Sequence, residues 1–307
     1  MKRRFIGILS SLPIGVHHFI ADWLLFPLMY YIVRYRRRIV DKNLLIAFPD
    51  ASEAERRALR KRFYHHFADV IVESLYGYRM TDEEFDRRVS FPYADQMARI
   101  IHTYGGAITL LAHLGTWEWM ADLGRHMDEQ GIYECNVYRK LKNKYFNQLM
   151  LDIRARRRGE CTEKEVLLRR MLQLRKSERL PVYGMLSDQK PSPRSTQVTL
   201  EFFGHQTPFL NGSEVLGQKF GYPCFYGYIR STARGIYSMQ LLPLNVPEMS
   251  RPQFMQQYDL PEDIVRVITA NDLSVTQKYV RLLERNIREQ PELWLWSHNR
   301  WKYSNDL

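Results

Sequence analysis

"ITLLAHLGTWEW", Ile108 to Trp119, is an apolar run that stops at a histidine, and five residues past that histidine a glutamate sits between two tryptophans. Gly105-Gly106 precede the run, so Ala107 to Ala112 reads as a buried strand opened by a glycine stop. From Thr116 the apolar period becomes helical (Trp117, Met120, Leu123, Gly124, Met127) and lasts until Gly131. Strand, short loop and helix start make one unit of an α/β sheet, where active sites gather beyond the C-terminal ends of strands. His113 stands at such an end. Thr116 is expected to cap the following helix, which puts Glu118 in its first turn and turns both side chains toward one cleft. That pair suits proton removal: a neutral imidazole takes a proton from an attacking hydroxyl, and a carboxylate on its other nitrogen fixes the tautomer. The spacing alone is weak evidence. Among nine histidines, about one His-x4-acidic match arises by chance, and His17 with Asp22 is a second match, in an apolar helix with no strand before it. A helix cap beside a hydrogen-bonded histidine would explain the same residues.

Outward from this stretch the alternation continues. Ser52 with Glu55 is a capping box opening a helix that runs to about Gly77, and Tyr93 to Tyr104 is a second helix. Beyond Gly131, strands are expected at Ile132–Tyr138, Leu180–Ser187, Val198–Phe203, Cys224–Ile229 and Ile236–Leu244. Helices are expected over Lys142–Arg158, Glu163–Lys176, Asn211–Phe220 and Val275–Glu289, with prolines 243, 247, 252 and 261 marking a loop region. Alternating strands and helices predict an α/β fold, a central mostly parallel or mixed sheet flanked by helices.

The N-terminus is different. Lys2, Arg3 and Arg4 precede an apolar, aromatic stretch, Phe19 to Val33, and Arg34, Arg36, Arg37 and Arg38 follow it. It is shorter than the roughly 20 apolar residues of a spanning helix and contains Asp22 and Pro27. It reads as a membrane-anchoring helix that dips into or lies on the bilayer, held by basic flanks and by Trp23, Tyr30, Tyr31 and Tyr35; a buried core helix is the other reading. The expected division is 1–40 for the anchor and 41–307 for one α/β domain. A net charge of +11 favours acidic partners, but no nucleic-acid-binding signature is present. Cys135, Cys161 and Cys224 show neither paired nor metal-ligand spacing, so no metal is expected, and a reducing setting is.

Other segments match a known pattern in order. "HLGTWEW" resembles the catalytic motif of the lipid A late acyltransferases, within the lysophospholipid acyltransferase group. "DKNLLIAFPDASEAER" (41–56), "VYRKLKN" (137–143), "SDQK" (187–190), "FFGHQTPF" (202–209) and "PELWLWSHNRWK" (291–302) resemble further family segments, so the similarity spans most of the chain. The resemblance implies a glycerolphosphate-acyltransferase-like fold at the cytoplasmic face of a bacterial inner membrane. It implies transfer of a fatty acyl chain from acyl carrier protein, or from a CoA thioester, to a hydroxyl of a lipid A precursor, with no further cofactor. His113 would be the general base and Glu118 its partner. Arg139 would bind substrate phosphate or the oxyanion, and Asp188 and Gln189 would line the same cleft, although a loop or capping role fits Asp188 equally. "RARRRG" (154–159) is a candidate docking patch for the acidic carrier. Asn299 stands where the family tail leads us to expect a second arginine, which suggests a divergent branch. A different lipid acceptor, or a catalytically silent lipid- or carrier-binding protein, are the competing readings.

Overall fold

The computed structural model describes residues 7, 10–140, 143–155, 158–193, 195–250 and 252–302. The chain opens with helix α1 (Ile14–Ile20), which continues through two wider-coiled turns, Ala21–Leu25 and Leu28–Ile32, on either side of Pro27. Proline removes one N–H from the helical ladder, and widened turns let the coil pass it without breaking. Arg34 and Arg36 then take left-handed backbone angles, both at φ 51°, and the chain turns through 85° into α2 (Arg37–Ala47). Among the described residues no single helix is long and apolar enough to cross a membrane; this bent pair together meets that test by length and composition. The basic residues 2–4 lie outside the described residues.

The Ser52–Glu55 capping box forms as expected and starts α3 (Glu53–Tyr76), against which α1 packs. Then come α4 (Asp82–Arg88), β1 (Val89–Ser90), α5 (Ala94–Tyr104), β2 (Ala107–Leu111), α6 (Leu123–Asp128) and β3 (Ile132–Tyr138). They are followed by α7 (Lys144–Ala155), β4 (Glu160–Glu163), α8 (Leu167–Lys176), β5 (Leu180–Leu186), the hairpin β6 (Gln197–Phe202) and β7 (His205–Leu210), and α9 (Gly212–Phe220). Strands β8 (Cys224–Ala233) and β9 (Ile236–Pro243), short α10 (Pro252–Met255), α11 (Glu262–Thr269) and α12 (Val275–Glu289) complete the chain.

Seven strands form one sheet in the order β1-β9-β8-β2-β5-β3-β4, parallel throughout except at the β8–β9 hairpin. Parallel strands need both faces covered, which is why β2 reads as an unbroken apolar run. Helix α9 packs on β2 and β8, α5 on β5 and β9, α6 on β3, and α12 on β8. The mixed α/β sheet flanked by helices is therefore as the alternation predicts. The long basic helix is shorter than expected where it is described, Lys144–Ala155, and residues 142 and 156–157 lie outside the described set. The expected helix start at Glu163 is instead strand β4, which hydrogen-bonds along β3. The pairing partner β7 is likewise absent from the sequence reading, because Pro208 hides its alternation.

One buried acid ties fold stability to pH. Burial pushes the Glu134 carboxyl on β3 from an ordinary 4.5 to about 8, even though Asn136 donates to it at 2.9 Å. A carboxyl with a raised folded value is stabilising in full below 4.5 and loses that contribution as pH climbs through about 8. Glu134→Gln should therefore flatten the decline of Tm across that range, measured by thermal melts at both ends of it.

Candidate active site

The site is built by register. β2 and β5 lie side by side in parallel, with Leu111 opposite Leu186, and Ser187 N–H continues the ladder to Leu111 C=O at 2.9 Å. Both strands end at these leucines, and two residues further on His113 and Asp188 fall next to each other. His113 Nδ1 lies 2.7 Å from Asp188 Oδ1. Asp188 is 2% exposed. Its second oxygen accepts the Trp294 indole N–H at 3.0 Å.

Trp294 is delivered by the tail. Leu295 N–H bonds His113 C=O and Gly115 N–H bonds Leu293 C=O, both at 3.1 Å, so the loop after β2 and the tail pair like two short antiparallel strands at Leu114 and Trp294. Asn43 of α2 holds the next turn of that tail through the carbonyls of Trp296 and His298, at 2.8 and 2.7 Å. Tyr279 of α12 donates its hydroxyl to Leu111 C=O at the end of β2.

The Asp188 carboxyl is held below its ordinary range. Burial pushes it up, but the neighbouring His113 charge and the hydrogen bonds from His113 and Trp294 together outweigh that. A carboxylate on Nδ1 selects the tautomer with the proton on Nδ1 and leaves the Nε2 lone pair free to accept. The Gln189 amide nitrogen lies 3.1 Å from Nε2 and 3.4 Å from Nδ1. A donor in the ring plane on the Nε2 lone pair would be far from Nδ1. The near-equal distances place the amide over the ring, and the lone-pair direction is not taken. Trp117 packs edge-on against the imidazole, ring centroids 5.0 Å apart. His298 is half-buried close by, and that partial burial pushes its imidazole down to about 4; in the neutral form its Nε2 accepts the Lys190 N–H at 3.2 Å.

Two expectations need correcting. The carboxylate on His113 is Asp188, not Glu118. Glu118 is buried five residues on, and its two oxygens receive Arg154 of α7 at 2.7 and 2.8 Å, with the Trp117 indole N–H at 3.1 Å. A buried carboxylate takes the strongest partner in reach, and a bidentate guanidinium exceeds a single imidazole N–H. Burial opposes the Arg154 charge, yet Glu118 keeps that guanidinium above its usual value. Nor does Thr116 cap the segment that follows. Its hydroxyl donates to buried Glu73 of α3, and the segment starts as a tighter coil, Trp117–Asp122, before α6.

Arg139 follows the end of β3, exposed, with no hydrogen bond or ion pair among the described residues. The docking patch does not survive as a surface at its first residue, since Arg154 is the partner of Glu118. Arg158 pairs with Asp128 at 3.2 Å, and residues 156–157 lie outside the described set. Trp294 and Arg154 are the functional candidates that spacing did not reveal; both come from helices or tail far along the chain. Asp86, Asp122 and His126 bring possible metal ligands within 4.8 Å of one another, but Arg125 ion-pairs with both aspartates and supplies the positive charge there.

A histidine with one ring nitrogen on a buried carboxylate, set where two parallel strands end, fits the class of α/β enzymes that work through a histidine base. The chain belongs to the bacterial lipid A biosynthesis acyltransferase family, whose sequence profile matches residues 5–303. The family is one of acyltransferases acting in lipid A biosynthesis and calls for an acyl donor and a lipid acceptor. No curated individual protein gives a significant match.

Proposed function

We propose that this protein moves a fatty acyl chain from an acyl carrier protein thioester to a hydroxyl of a lipid A precursor, with His113 as general base and Asp188 as its orienting carboxylate. The observation that carries the reading is the 2.7 Å contact of His113 Nδ1 with Asp188 in a chain of this family. The acceptor oxygen attacks the thioester carbonyl while His113 Nε2 takes its proton, and Asp188 stabilises the imidazolium that forms. As the tetrahedral intermediate collapses, the sulfur leaves and takes that proton from the imidazolium. No covalent acyl-enzyme is needed, because the hydroxyl attacks directly.

Glu118 acts through Arg154, holding one half-buried guanidinium beside Trp117 at the edge of the site. Arg139, free of ion pairs among the described residues, offers a contact for the precursor's phosphate. Gln189 fixes the plane of the imidazole. The membrane contact is the outer face of α1 and the turns after it: Phe19, Trp23 and Ile32 are 62, 74 and 74% exposed, and Arg34, Arg36, Arg37 and Arg38 follow. Such a face suits a segment lying at the cytoplasmic surface of the inner membrane, where the acceptor is.

Lipid mass spectrometry of cells with and without the protein tests the acceptor. Loss of one acyl chain from lipid A is expected. Unchanged lipid A with a missing phospholipid or aminolipid would overturn the acceptor and leave the acyl transfer. Purified protein supplied with carrier-linked or CoA-linked acyl chains decides the donor: the carrier thioester should be the better substrate by KM.

A further inference from the structure

Glu73 is a heavily bonded buried acid outside the His113–Asp188 pair. It sits in the last turn of α3 with none of its side chain exposed. One oxygen lies 2.9 Å from His18 Nε2 on α1. The other accepts the hydroxyl of Thr116, three residues after His113, and that of Tyr237 on β9 at 2.8 Å. Its backbone carbonyl accepts the Trp119 indole N–H at 2.8 Å. Thr116 and Tyr237 hydroxyls are themselves 3.2 Å apart.

Glycines leave room for this junction. Gly115, between His113 and Thr116, has φ +56°, and a Cβ there would meet the Tyr237 ring at 3.0 Å. Gly235, in the β8–β9 turn at φ +68°, lies where a Cβ would meet His18 at 3.2 Å and Glu73 at 3.4 Å. A second link runs parallel to the first: Arg234 of the same turn binds Asp22, after α1, at 2.8 Å and Asp69 of α3 at 2.6 Å. A helix that served only to hold the protein on a membrane would need none of this. A buried carboxylate needs several good donors to offset its desolvation, and here one donor comes from the N-terminal helix and another from the loop that carries His113.

We propose that Glu73 is a positioning residue: through Thr116 it fixes the loop that aims His113, and through His18 it makes that aim depend on the seating of α1. The inference rests on the reading of His113 as the base. The N-terminal segment then contributes to turnover and not only to membrane attachment. Small displacements of reacting groups are costly, about 10²-fold for 1 Å, so a loosened loop should lower kcat while leaving KM alone.

The test uses the full chain in detergent micelles, with fatty acyl carrier protein as donor and a lipid A precursor as acceptor, so that membrane attachment does not limit the rate. Glu73→Ala would strand several buried donors and threatens folding, so its partners are changed instead. Thr116→Val should lower kcat about tenfold or more with both KM values within about twofold, and Thr116→Ser, which keeps the hydroxyl, should restore it. His18→Ala should lower kcat several-fold even in micelles. Wild-type kcat in both Thr116→Val and His18→Ala overturns the positioning role. The His113 imidazole resonance in labelled protein reports the loop without turnover and should shift in both variants; an unmoved resonance overturns the positioning role even if donor or acceptor has been misassigned. An inactive wild type with shifted resonances instead sinks the functional reading and leaves the coupling standing.

Discussion

His113→Ala is expected to lower kcat for acyl transfer by about 10²–10⁴, the range ordinarily contributed by one positioned acid–base group. KM for donor and acceptor should stay within about twofold, since the imidazole acts on a proton in flight and contributes little to ground-state binding. The substitution has a second, structural consequence. Asp188 is 2% exposed and loses one of its two side-chain donors, keeping the Trp294 indole and the backbone N–H of residue 113. An under-bonded buried carboxylate destabilises by about 1–3 kcal/mol, so Tm should fall together with activity. The sign of the pH dependence follows from Asp188. Its folded value lies below the ordinary 3.8, so its contribution is present above that value and is lost as pH falls through the folded one. The Tm gap between wild type and variant should accordingly be open above about pH 3.8 and close as the pH falls below that value. Steady-state kinetics and thermal melts on the same preparations check both halves. Full acyl transfer by a folded His113→Ala would refute the direct-base mechanism.

How far the sequence could be read differs between strands and contacts. The strand at Ala107–Ala112 was legible because both its faces are buried and a glycine pair opens it. Its consequence, that His113 stands at a strand end, followed without any structure. The partner of His113 was not legible. His-x4-Glu is a local spacing, and a five-residue separation across a tight coil gives no account of where a carboxylate 75 positions away will lie. The information was present in a different form: two apolar strands, Ala107–Leu111 and Leu180–Leu186, each followed two residues later by a polar side chain. Register between parallel strands turns that coincidence into a contact, and register is set by sheet order, which is a tertiary property. Thr116 failed as a cap for a similar reason. Its hydroxyl meets Glu73 from a helix 43 residues earlier, and a buried carboxylate outcompetes the local N–H groups. Trp294 of the tail packs in the core, yet its one polar atom also holds the carboxylate that holds the base.

Asp188→Asn should cost about as much in kcat as removing the base, roughly 10²–10⁴, while changing the shape of the site hardly at all. The reason lies in which atoms can donate. The indole N–H of Trp294 only donates, and it points at Asp188 Oδ2 from 3.0 Å. The amide that replaces the carboxylate must therefore turn its carbonyl oxygen toward Trp294 and its NH₂ toward His113 Nδ1. Facing a donor, Nδ1 has to become the acceptor, so the ring proton moves to Nε2, and the nitrogen meant to take the substrate's proton already carries one. The loss is one of tautomer, not of position. It should therefore be partly reversible by a change at a residue that touches neither the ring nor the substrate's reacting atoms. Trp294→Phe removes the indole donor and lets the introduced amide flip, presenting its carbonyl to Nδ1–H. The double variant should recover at least about tenfold over Asp188→Asn alone, a gain of about 1.4 kcal/mol; because Trp294→Phe by itself should lower activity and stability through lost packing, the coupling between the two sites is larger than that gain. Imidazole ¹⁵N shifts distinguish the two tautomers directly. Glu118→Gln completes the comparison: it weakens the hold on Arg154 without changing the His113 tautomer, so its ¹⁵N pattern should match wild type. An Asp188→Asn ring with the wild-type pattern, or a Glu118→Gln ring with the inverted one, would return Glu118 to the role that the spacing first suggested for it.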